Sequence, residues 1–165
     1  MPATPFHLGP GLLVKAAAPQ QFSMAAYSLA QVVIDIESGF FQLRRDYPVH
    51  REMHTFVIGG LIGLLSGLIV SRVGVWLARP RDVVGEALAA EYRLWVAVPS
   101  GIFGGLLHVL IDGVMYTDVR PFLPFSVANP LYGLVTVRVV YMFCVLTAVV
   151  GAALLLAWEW RPKRF

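Results

Sequence analysis

Charge is scarce in this chain. Only 14% of its residues are Asp, Glu, Lys or Arg, while 58% are hydrophobic. A soluble domain carries about a quarter charged and under half apolar residues. The shortage therefore excludes an ordinary water-soluble globule and points to a membrane protein. Cysteine is almost absent. The single Cys144 lies in an apolar run, so the chain has no internal disulfide and no CxxC motif for zinc or redox work. The formal net charge is +3, but so apolar a chain has little polar face to offer, which argues against a nucleic-acid partner. The opening "MPATPFHLGPGLLVK" has no positive segment ahead of its apolar part, which argues against a cleaved signal peptide. No internal repeat or low-complexity stretch is present.

What the chain does have is long apolar runs. Three of them, 54–78, 94–116 and 131–158, meet the roughly 20 residues that a helix needs to cross the hydrocarbon. They predict transmembrane helices. Gly59, Gly63 and Gly67 in the first, with Gly60 beside them, and Gly101 and Gly105 in the second, repeat at GxxxG spacing. Such spacing serves close helix packing within one bundle, with a homodimer interface as the alternative. Two shorter apolar pieces within residues 5–37 flank Pro19-Gln20-Gln21. Ser23 suits the N-cap of the second piece. Each piece reaches only about 20 Å at 1.5 Å per residue. They predict a helical hairpin that dips into or partly across the membrane, with His7 opposite Asp35. The expected architecture over 1–165 is one all-α, polytopic membrane helical bundle: three long transmembrane helices plus an N-terminal helical hairpin.

Polar residues inside apolar segments cost a few kcal/mol each, so they mark function or a specific partner. Threading the chain through this topology brings His7, His50, His54 and His108 to one membrane face, together with Asp35, Glu37 and Asp112. His50 and His54 are four residues apart, as are His108 and Asp112. On a helix each pair shares one face and can chelate an ion. Taken singly, each has an ordinary alternative: a solvated His pair at a helix start, a core histidine, an Asp112–Arg138 ion pair, a solvated helix end at Asp35 and Glu37. Their convergence favours a site. With no thiolate present, imidazole and carboxylate donors suit Zn, or else Mn or Fe, in an open site.

These residues resemble a known family, the predicted membrane-bound metal-dependent hydrolases of the LexA-binding, inner-membrane-associated type. That family opens on a His, follows with an Asp-x-Asp turn and a His-Arg-Gly-x-Thr-His-Ser stretch, and ends with His-x-x-x-Asp before a Pro-rich segment. His7, "IDIE", "HREMHT" and "HVLIDGVMYTDVRPFLPF" stand in that order over about residues 5 to 130. Glu37 replaces the second Asp, no Leu-Pro precedes Asp35, and the second His of the central motif comes one residue early, at His54. The resemblance implies a divalent metal, one or two ions, and hydrolysis of a lipid or phosphoester-type substrate.

The expected ligands are His7, Asp35, His54, His108 and Asp112. Glu37 is the expected general base, with orienting a ligand His as its alternative. His50 is a ligand or a proton donor. Arg51, Arg120 and Arg138 are candidates to hold a phosphate or carboxylate, or else pair with Asp46, Asp118 and Asp112 or with headgroups. The expected partners are membrane lipid and a lipid or lipid-linked substrate. A metal or proton transporter, and a non-catalytic metal-binding assembly or sensor protein, are the competing classes. Stretches in the far halves of the spans, such as "GLLSGLIV" and "VGAALLLA", hold nothing titratable, which argues against a through-path. Lys and Arg favour the cytoplasmic side. Arg72, Arg79, Arg81, Arg93, Arg161, Lys163 and Arg164 gather opposite the site, against Arg44, Arg45, Arg51 and Arg120 beside it. The count favours a cytoplasmic C-terminus and a site facing away from the cytoplasm, and the expected location is a prokaryotic cytoplasmic membrane.

Overall fold

The computed structural model describes residues 4–77 and 89–159. A short 3-10 turn, Thr4–His7, leads into α1, Leu8–Ala17. The chain turns and enters α2, Met24–Arg44. A second 3-10 turn, Glu52–His54, precedes α3, Phe56–Leu77. Further along the described residues come α4, Leu94–Met115, and α5, Val137–Glu159. Three segments, Phe56–Gly74, Leu94–Met115 and Val137–Trp158, are long and apolar enough to cross a membrane. The all-helical architecture agrees with the expectation from sequence.

Two boundaries differ from expectation, for local reasons. α2 does not stop at Glu37 but continues to Arg44. Between Ser38 and Arg44 there is no proline, and Gly39 alone, at about 1 kcal/mol, does not end the helix. The stop is made by Arg45 in the left-handed region (φ 56°), where Arg45 N–H donates to Gln42 O and Asp46 N–H to Phe41 O. This is a Schellman ending. At the other end of the chain, residues 131–136 form turns around Gly133 (φ 75°). The helix starts only after Thr136, whose carbonyl accepts from Val139 and Val140. Arg138, which a span beginning at 131 would place about two turns deep, therefore lies exposed in the first turn of α5.

Small residues set the packing. α3 and α4 run antiparallel with their glycines interleaved. A Cβ on Gly105 would strike the Gly59 carbonyl, and one on Gly63 would strike that of Gly101. The GxxxG spacings are thus used inside the chain, where bare backbone lets two helices approach. α1 leaves its hairpin partner and lies along α5, parallel to it. Gly9 abuts the Cys144 carbonyl and Gly151 abuts Leu12. α2 buries Ala26, Tyr27, Ala30, Gln31, Ile34 and Ser38, and Gly104 of α4 sits against Tyr27.

Both ends of the bundle are tied. At the end away from His7, Ser23 Oγ caps α2 by accepting from Ala26 N at 3.2 Å. The Lys15 ammonium donates to Pro19 O at 2.6 Å and Phe22 O at 3.0 Å and pairs with Glu91 at 2.5 Å. At the other end, loop 116–136 folds back on α4. Asn129 Nδ2 donates to Gly113 O and Tyr116 O, and Phe56 N–H donates to Pro121 O at 2.8 Å. This is the end where the histidines gather.

Candidate metal centre

Asp112 sits at the middle of the cluster, buried in the last turn of α4. His108, one turn earlier, faces it: His108 Nε2 lies 3.3 Å from Asp112 Oδ2. The i,i+4 spacing does what the sequence implies. The turn before α3 brings His54, whose Nε2 lies 3.5 Å from the same oxygen. α2 brings Asp35, with Oδ1 at 3.4 Å from His108 Nε2. Ligand atoms of Asp35, His54, His108 and Asp112 all fall within 4.8 Å of one another. His7 approaches from the N-terminal turn. Its Nε2 is 3.1 Å from the other Asp112 oxygen, Oδ1, and its ring stacks on His108 at 4.4 Å.

Each imidazole of the four-residue group is held by its far nitrogen. His54 Nδ1 meets Glu37 Oε2 at 3.2 Å, and His108 Nδ1 meets Gln31 Oε1 at 2.6 Å. An acceptor at Nδ1 sets the tautomer and leaves Nε2 with its lone pair free. Both Nε2 atoms are buried and lack a hydrogen-bond partner, and an unpaired buried polar atom costs about 1–3 kcal/mol. Their spacing explains the arrangement. Donors about 2.0–2.2 Å from a tetrahedral ion stand about 3.3–3.6 Å apart. The three imidazole–carboxylate separations, 3.3, 3.4 and 3.5 Å, lie in that range. A metal ion takes the rings in their neutral form; the two carboxylates then leave negative charge in a buried place, which a divalent cation answers in place of a proton on His54. This buried Asp/His cluster can hold a metal ion.

The other expected site residues fall into place around it. Glu37 carries more than one duty: Oε2 accepts from Arg51 N, Met53 N and His54 Nδ1, and Oε1 also accepts from Met53 N. With its oxygens taken, orienting a ligand His fits it better than acting as a base. His50 is buried, with Nδ1 2.9 Å from Asp118 Oδ1, and its ring meets His54 at 4.7 Å and Tyr116 at 4.5 Å. Arg51 pairs with Asp46 at 2.9 Å and covers the Phe41 ring. Asp118, anticipated as an Arg120 partner, serves His50 instead. Arg138 does not pair with Asp112, whose oxygens face three histidines.

Two clefts open on this face. One, of about 650 Å³, is lined by Tyr47, His50, Tyr116, Thr117 and Asp118 among others. The other, of about 210 Å³, is lined by His50, Arg51, Glu52, Asp118 and Arg120 among others. Arg120 is exposed at its rim. Outside the spans, charge balance follows burial and neighbours. Burial pushes His54 toward neutrality, but Asp112 and Glu37 outweigh it and hold the ring above its ordinary pKa. Burial and the adjacent His54 lower His50. Burial would raise the Asp118 carboxyl, yet its bond to His50 lowers it overall. Burial, then the nearby carboxylates, push the Tyr116 hydroxyl up, so it stays protonated.

The sequence does not mark Gln31 or Tyr116 as part of the site, and it offers Asp118 only as an arginine partner. Gln31 had a signal, since it precedes Asp35 by one turn and so shares its face. Asp118 and Tyr116 lie where α4 gives way to a loop, and spacing alone does not place them. No protein-family model, curated protein or solved structure matches the chain.

Proposed function

We propose that this chain is a membrane-embedded, metal-dependent hydrolase acting on a lipid or phosphoester-type substrate at one membrane face. The observation that carries the reading is the shared carboxylate of Asp112, faced by two buried imidazole nitrogens whose opposite nitrogens Glu37 and Gln31 hold. Asp35, His54, His108 and Asp112 would hold the ion, zinc in the first instance, with Mn or Fe as the alternatives the donor set admits. His7 secures Asp112 from its other oxygen or joins it as a further donor. A divalent ion at such a site supplies Lewis acidity toward a scissile bond and toward water. The reaction class is taken from the resemblance of His7, "IDIE", "HREMHT" and "HVLID", in that order, to the predicted membrane-bound hydrolases. The clefts at the membrane face, with Arg51 and Arg120 on the smaller one, suit a substrate that arrives with an anionic group.

Two measurements on the purified protein test this. Elemental analysis is expected to find divalent metal in the wild type and its loss from the His108→Ala, Asp112→Ala double variant. A panel of lipid esters and phosphoesters is expected to show hydrolysis that chelation abolishes. Full activity in a metal-free protein would overturn the metal centre. A metal-loaded protein inert on the whole panel would overturn the hydrolase reading and leave a metal-binding assembly or transport protein.

A further inference from the structure

We propose that Asp118 is a positioning residue that fixes the His50 ring, and that His50 Nε2 and Tyr116 Oη form the wall where an O–H group meets the His/Asp centre. The group is an attacking water or the leaving oxygen of an ester. The chemistry rests on the hydrolase reading above; the geometry does not.

Asp118 is pinned. Its Oδ2 accepts from Val49 N at 3.1 Å and His50 N at 3.2 Å, while Oδ1 meets His50 Nδ1 at 2.9 Å. A carboxylate so held cannot turn away, and it accepts only. The proton of the neutral ring therefore sits on Nδ1 and the lone pair on Nε2. His50 is 3% exposed, and its Nε2 has no partner. The hydroxyl of Tyr116, the ring stacked on His50 with planes 28° apart, is also buried without a partner. A lone-pair acceptor beside a hydroxyl donor complements an O–H group, which donates to the one and accepts from the other.

His50 lines both clefts and its ring meets that of His54, a donor of the centre, at 4.7 Å. It is the step from cleft to centre. Glu37, occupied by N–H donors, leaves the proton-handling place open. In the reaction, water oxygen forms the new bond to the acyl carbon or phosphorus, and its proton passes to His50 Nε2. The bond to the leaving oxygen breaks, and the same proton passes from Nε2 to that oxygen. Asp118 stays ionised throughout and the ring returns to its starting form.

The test uses the full-length protein in detergent with ¹⁵N-labelled histidine, His50 being assigned by difference from His50→Gln. The wild type is expected to show His50 with Nδ1 protonated. Asp118→Asn, whose amide can donate to Nδ1, is expected to shift the ring toward the Nε2–H tautomer, and Asp118→Glu to retain the original one. On any substrate the panel finds, His50→Gln is expected to lower kcat about 10²-fold or more, with KM little changed and metal content kept. Asp118→Asn falls between, and Asp118→Glu recovers part of the loss. An Nε2–H tautomer in the wild type, or loss of metal from His50→Gln, would overturn the proposal. An Asp118→Asn variant with tautomer and kcat untouched would do the same. The tautomer measurement stands even if no substrate is hydrolysed, so this inference and the hydrolase reading can fail separately.

Discussion

All four histidines share one pattern: one ring nitrogen faces a carboxylate or amide oxygen, and the other is buried without a partner. The fixed partner decides what the second nitrogen can do. Gln31 shows this most clearly. It is fully buried, donates to Gly104 O at 3.2 Å and accepts from His108 Nδ1 at 2.6 Å. Gln31→Leu keeps the volume and removes the acceptor. Its expected effect is a metal affinity lower by about 10–100-fold, read by competition with a chelator. Gln31→Glu, which restores an acceptor, is expected to bind more tightly than Gln31→Leu. Equal affinity in all three would mean that Gln31 does not orient His108. The innermost donors were legible from sequence because His and Asp are anomalous in apolar helices. Their supports were not. A glutamine in a helix or an aspartate in a loop is ordinary until the fold shows what it touches, and Asp118 was as plausible a partner for Arg120 as for His50.

At the level of helices, apolarity located the spans but not their neighbours. An all-apolar helix has no polar face to say which side is inside, so the lean of α1 on α5 rather than α2 was not readable. Glycine spacing was the informative exception. Gly59 and Gly60 are adjacent, yet they differ in surroundings. The first faces Gly105 across the α3–α4 seam, while a Cβ on Gly60 would meet only Leu106 Cδ2 at 3.5 Å. Gly105→Ala, which forces a Cβ against the Gly59 carbonyl, is expected to destabilise the bundle by about 1–3 kcal/mol. Gly60→Ala is expected to be nearly neutral. Unfolding of both variants in mixed detergent compares them directly. If Gly105→Ala changed oligomeric state while leaving the unfolding midpoint in place, the glycines would serve a dimer and the seam would be misassigned.

For the whole molecule, the placement of the chemistry depends on which way the bundle sits. α1 and α5 run parallel from the centre's face, and α3 runs away from it, so the end of α5 lies opposite the site. The structure alters the charge count that orients the chain. Arg138, exposed in the first turn of α5, joins Arg44, Arg45, Arg51 and Arg120 beside the centre and raises that side from four to five. On the opposite side, Arg72 and Arg93 lie in the described helices and their flank, whereas Arg79, Arg81, Arg161, Lys163 and Arg164 lie outside the described residues. Lys15, tied to Glu91 at the end away from the centre, joins the seven assigned there from sequence, and eight against five still favours a cytoplasmic C-terminus. The expectation is that a reporter fused after Phe165 is active only as a cytoplasmic reporter. In a Cys144→Ala background, a cysteine at the exposed Ser126 should react with a membrane-impermeant thiol reagent in intact cells. Labelling that needs permeabilised cells would invert the topology, and the clefts beside His50 would then draw their substrate from the cytoplasmic leaflet.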